Sequence, residues 1–399
     1  MDSARISLML VTADPEGGIY HYTVELARSL AARGVDLFIV TSQGHEYACS
    51  ESRIRFAEVF RYRRHPFFDV PIIRRLGIRK AYNGIVYGLS LVSLARVARD
   101  QKPNIIHVQG LFGAVRGLLT MGVLRLFAAA PLVITVHNVA SRYRFPGSSL
   151  VARATLGSAT SIIVHSEFGR KRLARLARSR TSDMHVVTHG NYNVFANGSN
   201  RSRHDARAHF GVRHDASTVL FFGFIRPYKG LDVLLRAFAD TAAEVQEAHL
   251  IIAGQPREDF SKYQELLDGL GLNDRVTCHL GYVPADHVAD YFIAADVVVL
   301  PYTDDEAADQ SGVAQLAYAF GKPLIVSEVG GLGEVVEPRR SGYLVPPRNV
   351  EALARTLTTA LSDPDHLKIL GARGRKLAES RHDWGEIARR HYQIYSSLV

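Results

Sequence analysis

Cysteine is nearly missing from this chain of 399 residues: Cys49 and Cys278 stand far apart and in no metal-binding spacing. That excludes a disulfide scaffold or a zinc ribbon and suits a reducing compartment. Long apolar runs are missing too. The longest, Leu118 to Ile134, carries Arg125 and is broken by Pro131, so it reads as a helix followed by a buried strand and not as a membrane span. The opening MDSARISLMLVTADPEGG turns polar after a short apolar stretch, which predicts a first buried strand rather than a secretory leader, and a cytoplasmic protein. No G-x-G-x-x-G follows that strand, so little points to a dinucleotide. No strong metal constellation occurs; Asp304-Asp305 is only an acidic pair on a loop.

What is present is globular. Hydrophobic residues make up 47 % and charged residues 22 %, and the length predicts two or three domains rather than one core. The net charge of +9 is unevenly spread: between Arg53 and Lys80 many arginines face only Glu58 and Asp69. Such a stretch either attracts a polyanion (nucleic acid, anionic lipid or a diphosphate) or is a solvated arginine-rich surface. Nothing else looks like a base-stacking platform, so nucleic acid is not expected.

Short apolar runs alternate with helical patterns from end to end. ISLMLVT, DLFIVTS, IIHVQG, LVITVH, SIIVHS and MHVVTHG fill the first half, and TVLFFGF, HLIIAG, VTCHLG, VVVLPY and PLIVSE the second. They are continuously apolar, as parallel strands covered on both faces must be, and the order predicts an α/β doubly wound architecture. The pattern breaks over 191–216, polar and rich in Asn, Ser, Arg and His, where an inter-domain linker is expected. The expected plan is a Rossmann-like domain over 1–190, a second over 217–380, and a terminal helix over 381–399. Ligands of such sheets bind at the carboxyl ends of the strands.

Four clusters fall at such ends. Gly17-Gly18 lies between the first strand and a helix, where it serves a ligand's close approach or only a strand-to-helix turn. Arg226 and Lys229, in FGFIRPYKG, are cations on a glycine-flanked loop before a helix, suited to a diphosphate leaving group, or merely exposed loop charges. In Asp304 to Glu337 a polar loop ends at Ser311-Gly312, with Ser311 the expected N-cap of an Ala-rich helix, and Gly330-Gly331 follows the next strand. His137 follows the strand LVITV, where an imidazole can hydrogen-bond a sugar hydroxyl or a reacting oxygen. His107, His165 and His189 lie at similar places, so position alone does not single it out.

In order and spacing these segments resemble the large family of retaining GT-B glycosyltransferases (glycosyltransferase family 4-like). That family includes bacterial mannosyl- and glucosyltransferases acting on lipids, lipopolysaccharide and exopolysaccharide. The likeness lies in EGGIYHYTVELARSLAARG, PNIIHVQG, VITVHN and IIVHSEFGRKRL, then in FFGFIRPYKGLDVLLRAF, LIIAG, AFGKPLIVSEVGGLGEVV and SGYLVPPRN, with a tail around Trp384 like the family's last helix. The resemblance implies two Rossmann-like domains facing a cleft. It implies transfer of a hexose from a UDP- or GDP-sugar to a lipid-linked or glycan acceptor with retention, no cofactor beyond that co-substrate and no metal. Gly17 and Gly18 would face the sugar and phosphates, His137 the reacting centre, and Arg226, Lys229 and the Ser311-Gly312 backbone the diphosphate. Glu334 would fall where relatives often carry a glutamate. Relatives also carry two glutamates eight residues apart before the G-x-P turn, where this chain has Ala308 and Leu316; Asp309, Gln310 and Gln315 are the expected substitutes. The first domain, with its arginines, would meet an anionic membrane surface. A nucleotide-sugar epimerase and a non-catalytic nucleotide-sugar-binding subunit or sensor stay open as alternatives.

Overall fold

The computed structural model describes residues 6–45, 51–61, 78–110, 114–137, 147–177, 183–198, 200–303, 310–337 and 340–399. The chain forms two compact units, Met1–Thr188 with Trp384–Val399, and His189–Asp383.

In the first unit the described elements run β1 (Ser7–Val11), α1 (Gly18–Ala31), β2 (Asp36–Ser42), β3 (Ile54–Phe60), α2 (Ile78–Gln101), β4 (Ile105–Gln109), α3 (Ala114–Phe127), β5 (Leu132–Val136), α4 (Ser148–Gly157), β6 (Ser161–Val164), α5 (Glu167–Ala177) and β7 (Met184–Val186). The strands pair in parallel in the order β3-β2-β1-β4-β5-β6-β7. Strand order reverses between β1 and β4, so the Gly17-Gly18 loop leaves from the switch point. Alternate residues bury opposite faces. Leu8 and Leu10 pack with Leu26 and Leu30 of α1, whereas Met9 and Val11 pack with Leu94 of α2 and Leu124 of α3. Burial on both faces explains the continuous apolar runs.

The second unit runs α6 (Asn193–Asn197), α7 (Arg203–His209), β8 (Ser217–Phe222), α8 (Leu231–Glu244), β9 (Ala248–Gly254), α9 (Ser261–Gly269), β10 (Val276–Leu280), α10 (Val288–Ala294), β11 (Val297–Leu300), α11 (Gly312–Ala319), β12 (Leu324–Ser327), β13 (Gly342–Val345), α12 (Val350–Leu361) and α13 (Pro364–Arg381). Its parallel sheet has the order β10-β9-β8-β11-β12-β13, with the reversal between β8 and β11. Phe222, Val298 and Val326 bury one face, and Phe221, Val299 and Ile325 the other. The last helix, α14 (Trp384–Ser396), returns to the first unit, where Trp384, Ile387 and Tyr395 join the cluster of Leu26 and Leu30.

All the predicted strands form, and two more appear. β3 and β13 are both edge strands. IRFAEVF carries two charges and is only partly buried, and GYLV is four residues long, so neither shows the apolar signature of a central strand. The expected linker over 191–216 is a correction. Tyr192, Ala206, Phe210, Val212 and Ala216 are buried in the core of the second unit. Its polarity misleads because Arg207 is itself buried, donating to Asp296 at 2.7 Å and to the carbonyls of Ala294 and His214 at 3.0 and 2.6 Å. The arginine-rich stretch divides: Arg63, Arg64, Arg74 and Arg75 lie outside the described residues. Arg53 pairs with Asp36 at 2.8 Å, and Arg55 lies over the Phe38 ring, 5.3 Å from its centre. Phe60, in the same stretch expected to meet a membrane surface, is a core residue.

Candidate functional site

In the second unit, loops leave the carboxyl ends of the adjacent strands β8, β11 and β12. The first is held along the sheet by paired bonds, Ile225 N to Gln255 O and Arg257 N to Ile225 O, at 3.0 and 2.9 Å. It then makes a 3-10 turn, Pro227–Lys229, closed by Gly230 at φ +69°. A β carbon on Gly230 would stand 1.9 Å from the Pro301 carbonyl oxygen, so only glycine lets this turn press against the end of β11.

That approach places Lys229 over Tyr302. The Lys229 ammonium is buried, donates to the Tyr302 hydroxyl and lies 4.4 Å from the ring centre. The Tyr302 hydroxyl stands 3.1 Å from Ser311 Oγ. Burial pushes the Tyr302 phenol up to about 12, against the lowering bond from Ser311, so it keeps its proton at neutral pH. Tyr302 accepts from Lys229, and either hydroxyl can donate across the contact to Ser311. Arg226, half-buried, precedes the same turn, its guanidinium 5.9 Å from the centre of the Phe224 ring.

Ser311 stands at the N-cap position of α11, but its side chain does not cap the helix; Tyr302 engages it instead, which corrects the sequence expectation. A β carbon on Gly312 would sit 3.3 Å from the Tyr192 ring, a tight fit. Gln310 Oε1 accepts from the backbone N–H of His189 at 3.2 Å. Gln315 is fully buried, and neither of its amide atoms has a hydrogen-bond partner among the described residues. Leu316 is buried, and Glu334 is exposed on the 3-10 turn Leu332–Glu334 after β12. Asp309, with Asp304, Asp305 and Ala308, lies outside the described residues. Beyond β10 a cavity of about 360 Å³ is lined by Phe210, His279, Tyr282, Asp290 and Tyr291, with Asp290 ion-paired to Arg201 at 3.1 Å. The structure thus brings Lys229 to Ser311 and leaves Gln315 and Glu334 on different surroundings, one interior and one solvent.

In the first unit, Gly17 holds φ +81° ahead of α1, and its carbonyl accepts from the N–H of His21 at 3.0 Å; Gly18 opens the helix. A row of polar side chains crosses the strand ends. Gln109 pairs in register with Thr135, two residues before His137, and Val136 pairs with Val164, next to His165. His137 Nε2 lies 2.9 Å from Gln109 Oε1, and His137 Nδ1 lies 3.0 Å from His165 Nε2. His165 Nδ1 donates to the Val187 carbonyl at 2.9 Å. The Tyr22 ring stands edge-on to His137, 4.8 Å between centres.

Beside this row His107 bridges the Tyr395 hydroxyl (2.6 Å) and Thr135 Oγ1 (2.7 Å), and His391 Nδ1 donates to the Ile387 carbonyl at 2.8 Å. All these side chains are buried. Desolvation lowers His165 and His391 to about 4 and takes His107 well below its ordinary value, with neighbouring imidazoles adding to the effect on His107 and His165. Of these partners, sequence reasoning singled out neither Gln109 nor Tyr302. The one signal for Gln109 is its interval of 28 residues to His137, repeated from His137 to His165.

Similarity to known proteins follows the same division. The model for glycosyltransferase family 4 matches residues 16–190, and that for glycosyl transferases group 1 matches residues 202–390. The chain is 27 % identical over 389 residues to a D-inositol 3-phosphate glycosyltransferase of Kribbella flavida, covering 89 % of this chain and 85 % of that one. Among solved structures, sucrose-phosphate synthase from Thermosynechococcus elongatus superposes with a TM-score of 0.77 at 22 % identity, over 99 % of each chain. Anabaena HepE in complex with UDP-glucose gives a TM-score of 0.75 at 18 % identity, over 99 % of this chain and 100 % of that one. Two parallel Rossmann-like sheets, with these matches to their halves, make the chain a glycosyltransferase of the GT-B fold, group 1 and family 4-like.

Proposed function

We propose that the chain transfers a hexose from a UDP- or GDP-sugar to a lipid-linked or cell-surface glycan acceptor, with retention at the anomeric carbon and without a metal. The buried Lys229–Tyr302–Ser311 chain at the switch point between β8 and β11 carries this reading. A leaving nucleoside diphosphate gains negative charge as the glycosidic bond breaks, and a fixed cation beside a helix N-terminus stabilises that charge more than the ground state. Because Ser311 does not cap α11, the first amides of the helix are available to the same oxygens. Arg226 adds a second cation from the same turn. The Gln310 amide nitrogen and Asp309 take the sugar and ribose contacts that glutamates make in relatives, with Gln315 and Glu334 in support. The ring-lined cavity after β10 suits a planar base. Gly17, Gly18 and His137 serve the transferred sugar. HepE, which has been seen with UDP-glucose, supports a nucleotide-sugar donor.

Replacement of Lys229 or Arg226 by Ala is expected to lower turnover by about 10²-fold or more, the scale for losing one transition-state charge donor. Chelation of divalent cations leaves turnover unchanged. Near-normal transfer by both variants, with UDP- and GDP-sugars assayed side by side, sinks the assignment. Leu316, at one of the missing glutamate positions, favours a second reading, a non-catalytic donor-binding subunit; nucleotide protection without labelled product would establish it.

Association with an anionic membrane belongs to the same proposal. On α2, Tyr82, Ile85, Leu89 and Val92 fall on one helical stripe, with Ile85 66 % and Leu89 64 % exposed, and Arg96 and Arg99 continue it. On α3, which packs against α2, Leu119 and Leu126 are exposed with Arg125. Apolar side chains flanked by arginines suit the interface of an anionic bilayer, and no helix among the described residues is long and apolar enough to cross one.

A further inference from the structure

From the row at the ends of β4 to β7 we infer that His165 is a positioning residue, which holds His137 in the tautomer carrying its proton on Nδ1. The assignment follows from what each atom can do. A carbonyl oxygen only accepts, so the 2.9 Å contact to Val187 requires a proton on His165 Nδ1. His165 is buried and neutral, with burial lowering it to about 4, so its Nε2 presents a lone pair. That lone pair faces His137 Nδ1 at 3.0 Å. Two lone pairs cannot share such a contact, so the proton sits on His137 Nδ1 and points to His165.

The consequence falls on the other side of the ring. His137 Nε2 becomes the atom that gains or loses a proton, and Gln109 faces it at 2.9 Å. The amide serves both forms. Its oxygen, turned to Nε2 here, accepts from the imidazolium, and a half-turn of the amide brings its NH2 to the neutral ring. A third position completes the row: Val187, beyond β7, fixes the tautomer of His165 as His165 fixes that of His137. With the amide turned so that its NH2 meets the neutral ring, Gln109, His137, His165 and Val187 form one directed line of hydrogen bonds, built from four neighbouring strand ends. The effect on turnover rests on the reading of His137 as a transfer residue; the tautomer does not.

Long-range 1H–15N correlation spectra of the uniformly 15N-labelled full chain at pH 7.5, with the His137 ring identified from its loss in H137Q, test the inference directly. The expected spectrum shows His137 protonated at Nδ1. In H165F the Nε2–H tautomer gains the majority, and turnover falls by about tenfold or more with the donor KM nearly unchanged. In H165Q, whose side-chain oxygen can accept at the place of Nε2, the Nδ1–H tautomer and much of the turnover return. A wild-type His137 protonated at Nε2 overturns the inference without any variant having to fold. So does an H165F spectrum that keeps the Nδ1–H form. If the tautomer switches and turnover does not change, the positioning stands and the transfer role of His137 falls.

Discussion

Three imidazoles of the first unit, His107, His165 and His391, are buried and held neutral, and their titration sets the acid limit of this unit. Burial keeps each folded-state value below the ordinary 6.5, to about 4 for His165 and His391. The unfolded chain therefore binds protons first, so stability is complete above about pH 6.5 and declines as pH falls toward 4. Melting temperature should drop steeply between pH 6.5 and 4.5, and less so in a His391→Gln variant that removes one of the three groups. A flat profile over that window would contradict the buried neutral assignment. Gly230 offers a second test of a single position. A side chain there meets the Pro301 carbonyl in a left-handed backbone conformation, so Gly230→Ala should cost about 2–4 kcal/mol in denaturant melts. Activity should fall further than stability alone explains, because Lys229 leans on the same turn. At this scale the sequence was partly legible. Lys229 was visible as a loop cation, but its partner Tyr302 lies 73 residues on and is reached only through the pairing of β8 with β11. His137 stood among several strand-end histidines, and only register decides which of them join in a row.

Among the elements, legibility followed burial. Central strands such as LMLV and VVVL announce themselves because helices cover both faces, whereas β3 and β13 at the sheet edges do not. The polar 191–216 stretch read as a linker because a buried arginine paired to Asp296 is indistinguishable, in sequence, from a solvated one. Helix α2 shows the same ambiguity in reverse. Its run IVYGLSLVSL divides by helical period into Tyr87, Leu91 and Leu94, which are core, and Ile85, Leu89 and Val92, which are exposed. The proposed membrane contact is therefore a property of that stripe. Sedimentation with vesicles should show binding that rises with anionic lipid content and weakens with salt. Replacing Ile85, Leu89 and Val92 together by Ser should abolish most of it without loss of melting temperature, since none of the three is buried. A chain that ignores anionic vesicles at low salt would point to an acceptor in solution.

At the scale of the molecule, two doubly wound units were readable from alternation, whereas the strand order that sets their switch points was not, and the return of α14 to the first unit has a consequence for how the protein is made. The first unit is interrupted after Thr188 and resumes only at Trp384, so its core lacks Trp384, Ile387 and Tyr395 while the second unit is being synthesised. At translation rates of about 5–20 residues per second, that wait lasts roughly 10–40 s. During it the surface of α1 that α14 will cover stays open on the ribosome, together with His107, whose partner is Tyr395. A fragment ending at residue 188 should accordingly be soluble only at reduced yield, bind a hydrophobic dye, and gain protection from exchange when a peptide of residues 384–399 is added. Equal stability with and without the peptide would show the first unit to be complete alone. The second unit, His189–Asp383, is continuous in the chain, so its core, unlike that of the first, waits for no segment beyond its own end.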